Sequence, residues 1–202
     1  MEMNLVLPLP TSINSLYVNQ SIYNPKSKKF EITGRRILSK EGRKTKSRIM
    51  GEARAQMLNQ EWDYEATKDI YLYQDAVIYF PRRGMDDNNV YKLLNDSLEK
   101  IIYDNDSRVL VRTQKILYDT KNPRVELKIY PVAFKGIFEN LSIYKAFELK
   151  CESCKNYRNG KCSILKDSLN GTVRDEVDTN ELTKPLCNAY VERKNTKKRY
   201  TT

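Results

Sequence analysis

Two acidic clusters, Asp86-Asp87 and Asp104-Asn105-Asp106, bracket a short stretch that carries Lys92 and Asp96. The chain contains no histidine. Imidazole bases, Ser-His-Asp triads and histidine-ligated metals are thereby excluded, and hydrolysis must come from carboxylates holding a hard cation. Phosphodiester cleavage needs an activated water, neutralised phosphate charge and a stabilised leaving oxygen. Carboxylates that converge on magnesium or manganese supply all three. Asp86, Asp87, Asp104 and Asp106 are the candidate ligands, with Asn88 able to add a carbonyl oxygen. Lys92 is a point cation suited to the scissile phosphate. Asp and Asn also favour caps and turns for purely local reasons, so the pattern alone leaves both readings open.

The second set is Cys151, Cys154, Cys162 and Cys187, all in the last part of the chain. A C-x2-C pair bites one metal from a tight turn, and two further thiolates complete a tetrahedral site. Structural zinc is the expectation, and an iron–sulfur cluster uses the same ligands. Asn159-Gly160 supplies the turn before Cys162. A segment so poor in apolar residues calls for a metal as its core.

The body around these residues is basic, with formal net charge +10 and pI ≈ 9.3. Lys26, Lys28, Lys29, Arg35, Arg36, Lys40, Arg43, Lys44, Lys46 and Arg48 face few acids over the same stretch. Such clusters bind phosphates by releasing counterions, which points to nucleic acid. A further basic run, Arg193-Lys194 and Lys197-Lys198-Arg199, reads as a solvated tail. Mean hydropathy is −0.70 and no segment has the apolar length of a membrane span. MEMNLVLPLP lacks a basic n-region and breaks at proline, so a cytoplasmic address is expected.

The elements that must position these groups are an α+β set. Residues 3–8 read as a strand stopped by Pro8 and Pro10. Residues 11–38 are polar, with a short hairpin possible around Lys29–Ile32. Ser39 is an N-cap for a helix to about Asn59, with Ile49, Met50, Ala53 and Met57 on one face. Asp69–Phe80 alternates loosely as a strand, with a slip expected near Gln74. A helix from about Asn88 to Lys100 buries Val90, Leu93, Leu94, Ser97 and Ile101 and turns Lys92 and Asp96 outward. Residues 107–118 and 124–132 are strands around a turn at 119–123. If extended, the segment at Asp104 and Asp106 presents both on one face. The expected division is a nuclease-type domain over 1–135, a connecting helix over 136–150 and a four-cysteine module over 151–202.

The order D-x-x-N-x-x-K-x-x-x-D-x-L (Asp86, Asn89, Lys92, Asp96, Leu98), then Y-D-x-D-S (Tyr103, Asp104, Asp106, Ser107), Lys115 and P-R-V-E-L-K-I (123–129) resembles the RusA-type Holliday junction resolvases. The opening LVLPLPTSINSLY is similar too, and the resemblance spans about residues 1–132. It implies an α+β fold with a small mixed or antiparallel sheet and two principal helices. It also implies a magnesium-dependent endonuclease for branched DNA that works as a homodimer, with Asp86, Asp106 and Lys92 as the catalytic set. Lys115 joins the expected DNA contacts. One departure stands out: many members carry D-x-D-N, and the second acidic position here is Asn88. The alternative, from a different class, is a DNA-binding protein with a degenerate acidic site.

Overall fold

The first 131 residues place one four-stranded sheet beneath two helices. The computed structural model describes residues 1–181 and 183–193, so most of the basic tail lies outside the described residues. The elements are β1 (Met3–Pro8), α1 (Ile13–Leu16), β2 (Tyr17–Asn24), β3 (Lys29–Leu38), α2 (Lys40–Met57), β4 (Leu72–Phe80), α3 (Asn88–Leu98), β5 (Val109–Tyr118) and β6 (Arg124–Pro131). The sheet order is β1-β6-β4-β5. β6 runs antiparallel to both β1 and β4, whereas β4 and β5 are parallel and joined through α3. The architecture is the α+β mixed sheet with two principal helices.

The strand faces alternate as a half-buried sheet requires. Met3, Leu5 and Leu7 of β1, Leu72, Ala76, Ile78 and Phe80 of β4, and Val125, Leu127 and Ile129 of β6 turn to the helices. Ile49 and Ala53 of α2 and Val90, Leu94 and Leu98 of α3 close over them in one cluster. Each of these side chains larger than alanine contributes roughly 1.5–3 kcal/mol when fully removed from water. Ser39 caps α2 through its hydroxyl, which accepts from the Gly42 amide at 3.0 Å. Gly42 is glycine because Leu16 packs onto the first turn of α2; a Cβ there would meet Leu16 Cδ1 at 2.9 Å.

β1 is an edge strand, yet its free side is not bare. Gln60 of the turn after α2 accepts from the Asn4 amide at 2.8 Å and donates to the Asn4 carbonyl at 2.7 Å. Gln56 on α2 does the same for Val6, at 2.8 Å in both directions. Two side-chain amides thus imitate a neighbouring strand.

Three expectations are corrected. β5 and β6 do not pair with each other. The crossover through α3 seats β5 on one edge of β4, so β6 must take the other, and the link at 119–123 passes over the end of β4. There the Asp119 amide donates to the Phe80 carbonyl at 2.8 Å. No slip occurs in β4 at Gln74; the alternation is unbroken and Gln74 is itself a buried core position. The irregularity lies on β5, where one extra residue separates Thr113 from Lys115 opposite Ala76 and Val77. Finally, the short hairpin around 29–32 is a long ribbon, β2 against β3 from Tyr17↔Leu38 to Asn24↔Lys29.

From Val132 onward a second compact unit begins. It contains α4 (Leu141–Glu152), α5 (Ser163–Leu169), and the two-residue strands β7 (Val177–Asp178) and β8 (Leu186–Cys187). Phe138, Phe147, Ile164, Leu165 and Val177 form its own small apolar cluster together with Cys151. The unit is therefore less dependent on a metal for its core than its composition after Cys151 suggests, because it recruits Phe138 and Phe147 from ahead of that residue. Gly136 sits at φ +59°, and a Cβ there would fall 2.0 Å from the Ser168 carbonyl oxygen. Only glycine fits that approach.

Candidate active site and its neighbours

Helix α3 carries the candidate catalytic groups on its outer side because its inner side is fully committed to the core. Val90, Leu93, Leu94, Ser97 and Leu98 are buried. Gln74, beneath the helix, donates from Nε2 to the Asn95 side-chain oxygen at 2.9 Å. This pins the helix to the sheet at its middle. Sequence reasoning missed Gln74 because a glutamine at a core position looks like a break in the apolar pattern.

Asp86 and Asp87 both cap the start of α3: the Asn88 amide donates to Oδ1 of each at 3.0 Å. The capping role that such residues commonly play is thus realised here. Asp87 also accepts from the Thr113 hydroxyl, which in turn is paired with the Tyr91 phenol. Since Thr113 donates to Asp87, the Tyr91 proton must point at Thr113. The extra residue in β5 follows directly after Thr113, and such bulges re-aim side chains beside functional sites. Burial, foremost, raises the Tyr91 pKa, and the nearby Asp87 charge adds to it.

Lys92 pairs with Asp96 at 2.7 Å, and the ammonium is half exposed. Its pKa is raised, first by the Asp96 hydrogen bond, then by the charges of Asp96 and Asp106. Lys92 and Asp106, fourteen positions apart, therefore share one local field.

The second acidic cluster is not extended. Asn105 caps a 3-10 turn over Asp106–Arg108 by accepting from the Ser107 amide at 2.9 Å, and β5 begins only at Val109. The expected common face of Asp104 and Asp106 is lost with the extended conformation. Asp104 turns instead to Lys100 at 2.8 Å and Arg108 at 3.1 Å. These contacts hold its carboxyl below the usual range, the Lys100 hydrogen bond contributing most. The spacing Lys100, Asp104, Arg108 is a visible signal of that arrangement. The Asp106 carboxylate makes no ion pair among the described residues, and neither does Asp86.

Oxygen donors without a protein cation suit a hard metal ion. Among the described residues, however, no three His, Cys, Asp or Glu side chains are drawn close enough to hold one. Asp86, Asp87 and Asn88 lie at one end of α3, and Asp104 and Asp106 beyond the other.

The expected DNA-contacting residues fall on two elements and one edge. Lys26, Lys28 and Lys29 form the tip of the β2–β3 ribbon, Arg35 and Arg36 lie on β3, and all five are exposed. Lys40, Arg43, Lys44, Lys46 and Arg48 follow along α2, with Lys46 half-buried. Lys115 is exposed on β5, just past the bulge. Among the described residues no helix is long and apolar enough to cross a membrane.

The four cysteines come from four places in the second unit: the last turn of α4, the turn after it, the residue before α5, and β8. All four are free thiols. Arg158 and Lys161 bridge across Asn159-Gly160, two residues with positive φ, as the sequence suggests. Burial, then the neighbouring Cys162, Cys187 and Cys154, pushes the Cys151 thiol up to about 12.

Comparison with protein families finds a match to the model described as Endodeoxyribonuclease RusA over residues 12–130. A search of curated proteins finds no match. The matched span takes in the ribbon, both principal helices and the acidic clusters, and ends before the cysteines.

Proposed function

The chain belongs to the RusA endodeoxyribonuclease family, and from that premise we propose that it cuts branched DNA, four-way junctions above all, by magnesium-dependent phosphodiester hydrolysis. The observation that carries this reading is the half-exposed Lys92–Asp96 pair on the outer side of α3, flanked in sequence by Asp86 and Asp106, neither of which pairs with a cation among the described residues. Magnesium, or manganese in its place, would be held through Asp86 and Asp106, with Asp87, Asn88 and Asp104 able to close in. It would supply an activated water and neutralise phosphate charge. Lys92 holds the non-bridging phosphate oxygens and offsets the charge that grows on them. Asp96 keeps Lys92 protonated and aimed. The ribbon and α2 grip the phosphates on either side of the break. Two copies related by a two-fold axis suit a two-fold junction, since identical sites then cut symmetrically placed strands. Such work on DNA recombination and repair fits a cytoplasmic protein.

A second reading has its own support. Asn88 replaces an acidic residue, and no three ligands converge among the described residues. A junction-binding protein with a degenerate site would look the same.

Incubation of a synthetic four-way junction with and without magnesium separates the two. The nuclease reading expects paired symmetric cuts only with the metal, abolished in Asp86→Asn and Asp106→Asn while binding stays intact or tightens. Tight binding without cutting under magnesium or manganese, on four-way, flap and forked substrates alike, would establish the second reading. In that case a gain of cutting in Asn88→Asp would identify the cause.

A further inference from the structure

The second unit has a half-open cavity of about 350 Å³ whose lining includes all four cysteines. Its remaining wall is mainly apolar, with Phe147, Ile164, Leu165 and Leu186 among the lining residues. Cys151 and Cys154 are buried, and Cys162 and Cys187 half-buried.

The size of this space discriminates between metal groups. Tetrahedral zinc holds each sulfur about 2.3 Å away, which draws the four to about 3.8 Å of one another and leaves no void among them. Among the described residues no three Cys, His, Asp or Glu side chains stand close enough to hold a single ion. The cavity beside the cysteines is many times the roughly 10–15 Å³ that one water molecule needs on the same measure. Four cysteines that line one mainly apolar cavity, with no three close enough for a single ion, fit an object with several metal atoms of its own. A cubane of iron and sulfide is held by four cysteine thiolates, one on each iron, in a site of low polarity.

We propose that Cys151, Cys154, Cys162 and Cys187 hold a four-iron, four-sulfide cluster in the second unit, in place of the single zinc that the cysteine spacing suggests. The cluster exchanges its labile outer ligands for the four thiolates, and the four thiol protons leave to solvent. With every iron capped by a cysteine, no iron is left open to substrate. The site lies outside the residues matched by the family, so it stands or falls independently of the nuclease reading.

The full chain, purified without oxygen and without added metal, decides the matter through its content of iron, zinc and acid-labile sulfide. The expected result is a brown protein with roughly four iron and four sulfide per chain. Protein purified in air should regain both, with its visible absorption, when incubated without oxygen with ferric iron, sulfide and a thiol that reduces half of the iron. About one zinc per chain without sulfide would overturn the proposal in favour of a structural ion. Two iron with two sulfide would overturn the cubane, and a colourless chain that takes up neither element would return the cysteines to plain packing. Cys162→Ser and Cys187→Ser should each lose most of the visible band. Because iron and sulfide are counted on the unaltered chain, a variant that fails to fold leaves that count standing.

Discussion

Lys92 holds a position that no other cation in the first unit shares: paired with Asp96, near Asp106, and half open to solvent. Lys92→Ala should therefore lower the single-turnover cleavage rate about a hundredfold, with little change in junction affinity, because the ribbon and α2 supply many other phosphate contacts. An affinity loss at an unchanged rate would reassign Lys92 to positioning. A different residue-scale effect concerns acid. Burial pushes the Asp75 carboxyl up, but hydrogen bonds from Arg112 and Tyr130 outweigh it and leave the pKa lowered. Arg112 also stacks over the Tyr73 ring at 3.7 Å. A carboxyl held below its unfolded value of about 3.9 stabilises the fold above that pH, and the contribution fades as pH falls through the lowered value. Arg112→Ala should thus move the acid-unfolding midpoint to higher pH, as followed by circular dichroism. An unchanged midpoint would mean that the pair contributes nothing.

The β2–β3 ribbon is the element least explained by the core. Val18, Ile22, Tyr23, Phe30 and Ile32 are all exposed on it, and Tyr23 meets Phe30 edge to face at the tip beside Lys26, Lys28 and Lys29. If the tip grips phosphates, replacing those three lysines with alanine should flatten the slope of log affinity against log salt by up to about 2.7, at about 0.9 for each lost contact. Equal slopes for both proteins would remove the ribbon from the interface. The same element shows what local pattern carries and what it does not. α2 and α3 are legible because a cap and an apolar face at helical spacing are both local features. The ribbon's length is not, since its strands pair with each other and bury little, leaving no alternation to read. Gln74 misleads for the opposite reason, as a polar side chain serving the core through Asn95. At the site, Asp86, Lys92 and Asp106 are candidates that order and spacing in the sequence put forward. Thr113 is not, because a parallel crossover brings it from β5 to Asp87 and Tyr91 at the start of α3, and that pairing is not written in the residues nearby.

At the scale of the whole molecule, a nuclease-family unit is followed by a cysteine-bearing unit with its own apolar cluster. In the first unit the sheet ends at β1, where an unprotected row of amides and carbonyls would invite a strand from another molecule. Gln56 and Gln60 occupy that row, so the edge is spoken for without the chain adding a fifth strand. A helix side chain can do this only while α2 stays docked, which ties the colloidal behaviour of the protein to the packing of one helix. Replacing both glutamines with alanine should cost only about 1 kcal/mol per hydrogen bond lost, yet it should leave a strand edge open to its own copies. Light scattering on warming would register this as particles forming below the unfolding temperature of the variant. A variant that stays monodisperse until it unfolds would show that β1 needs no such cover.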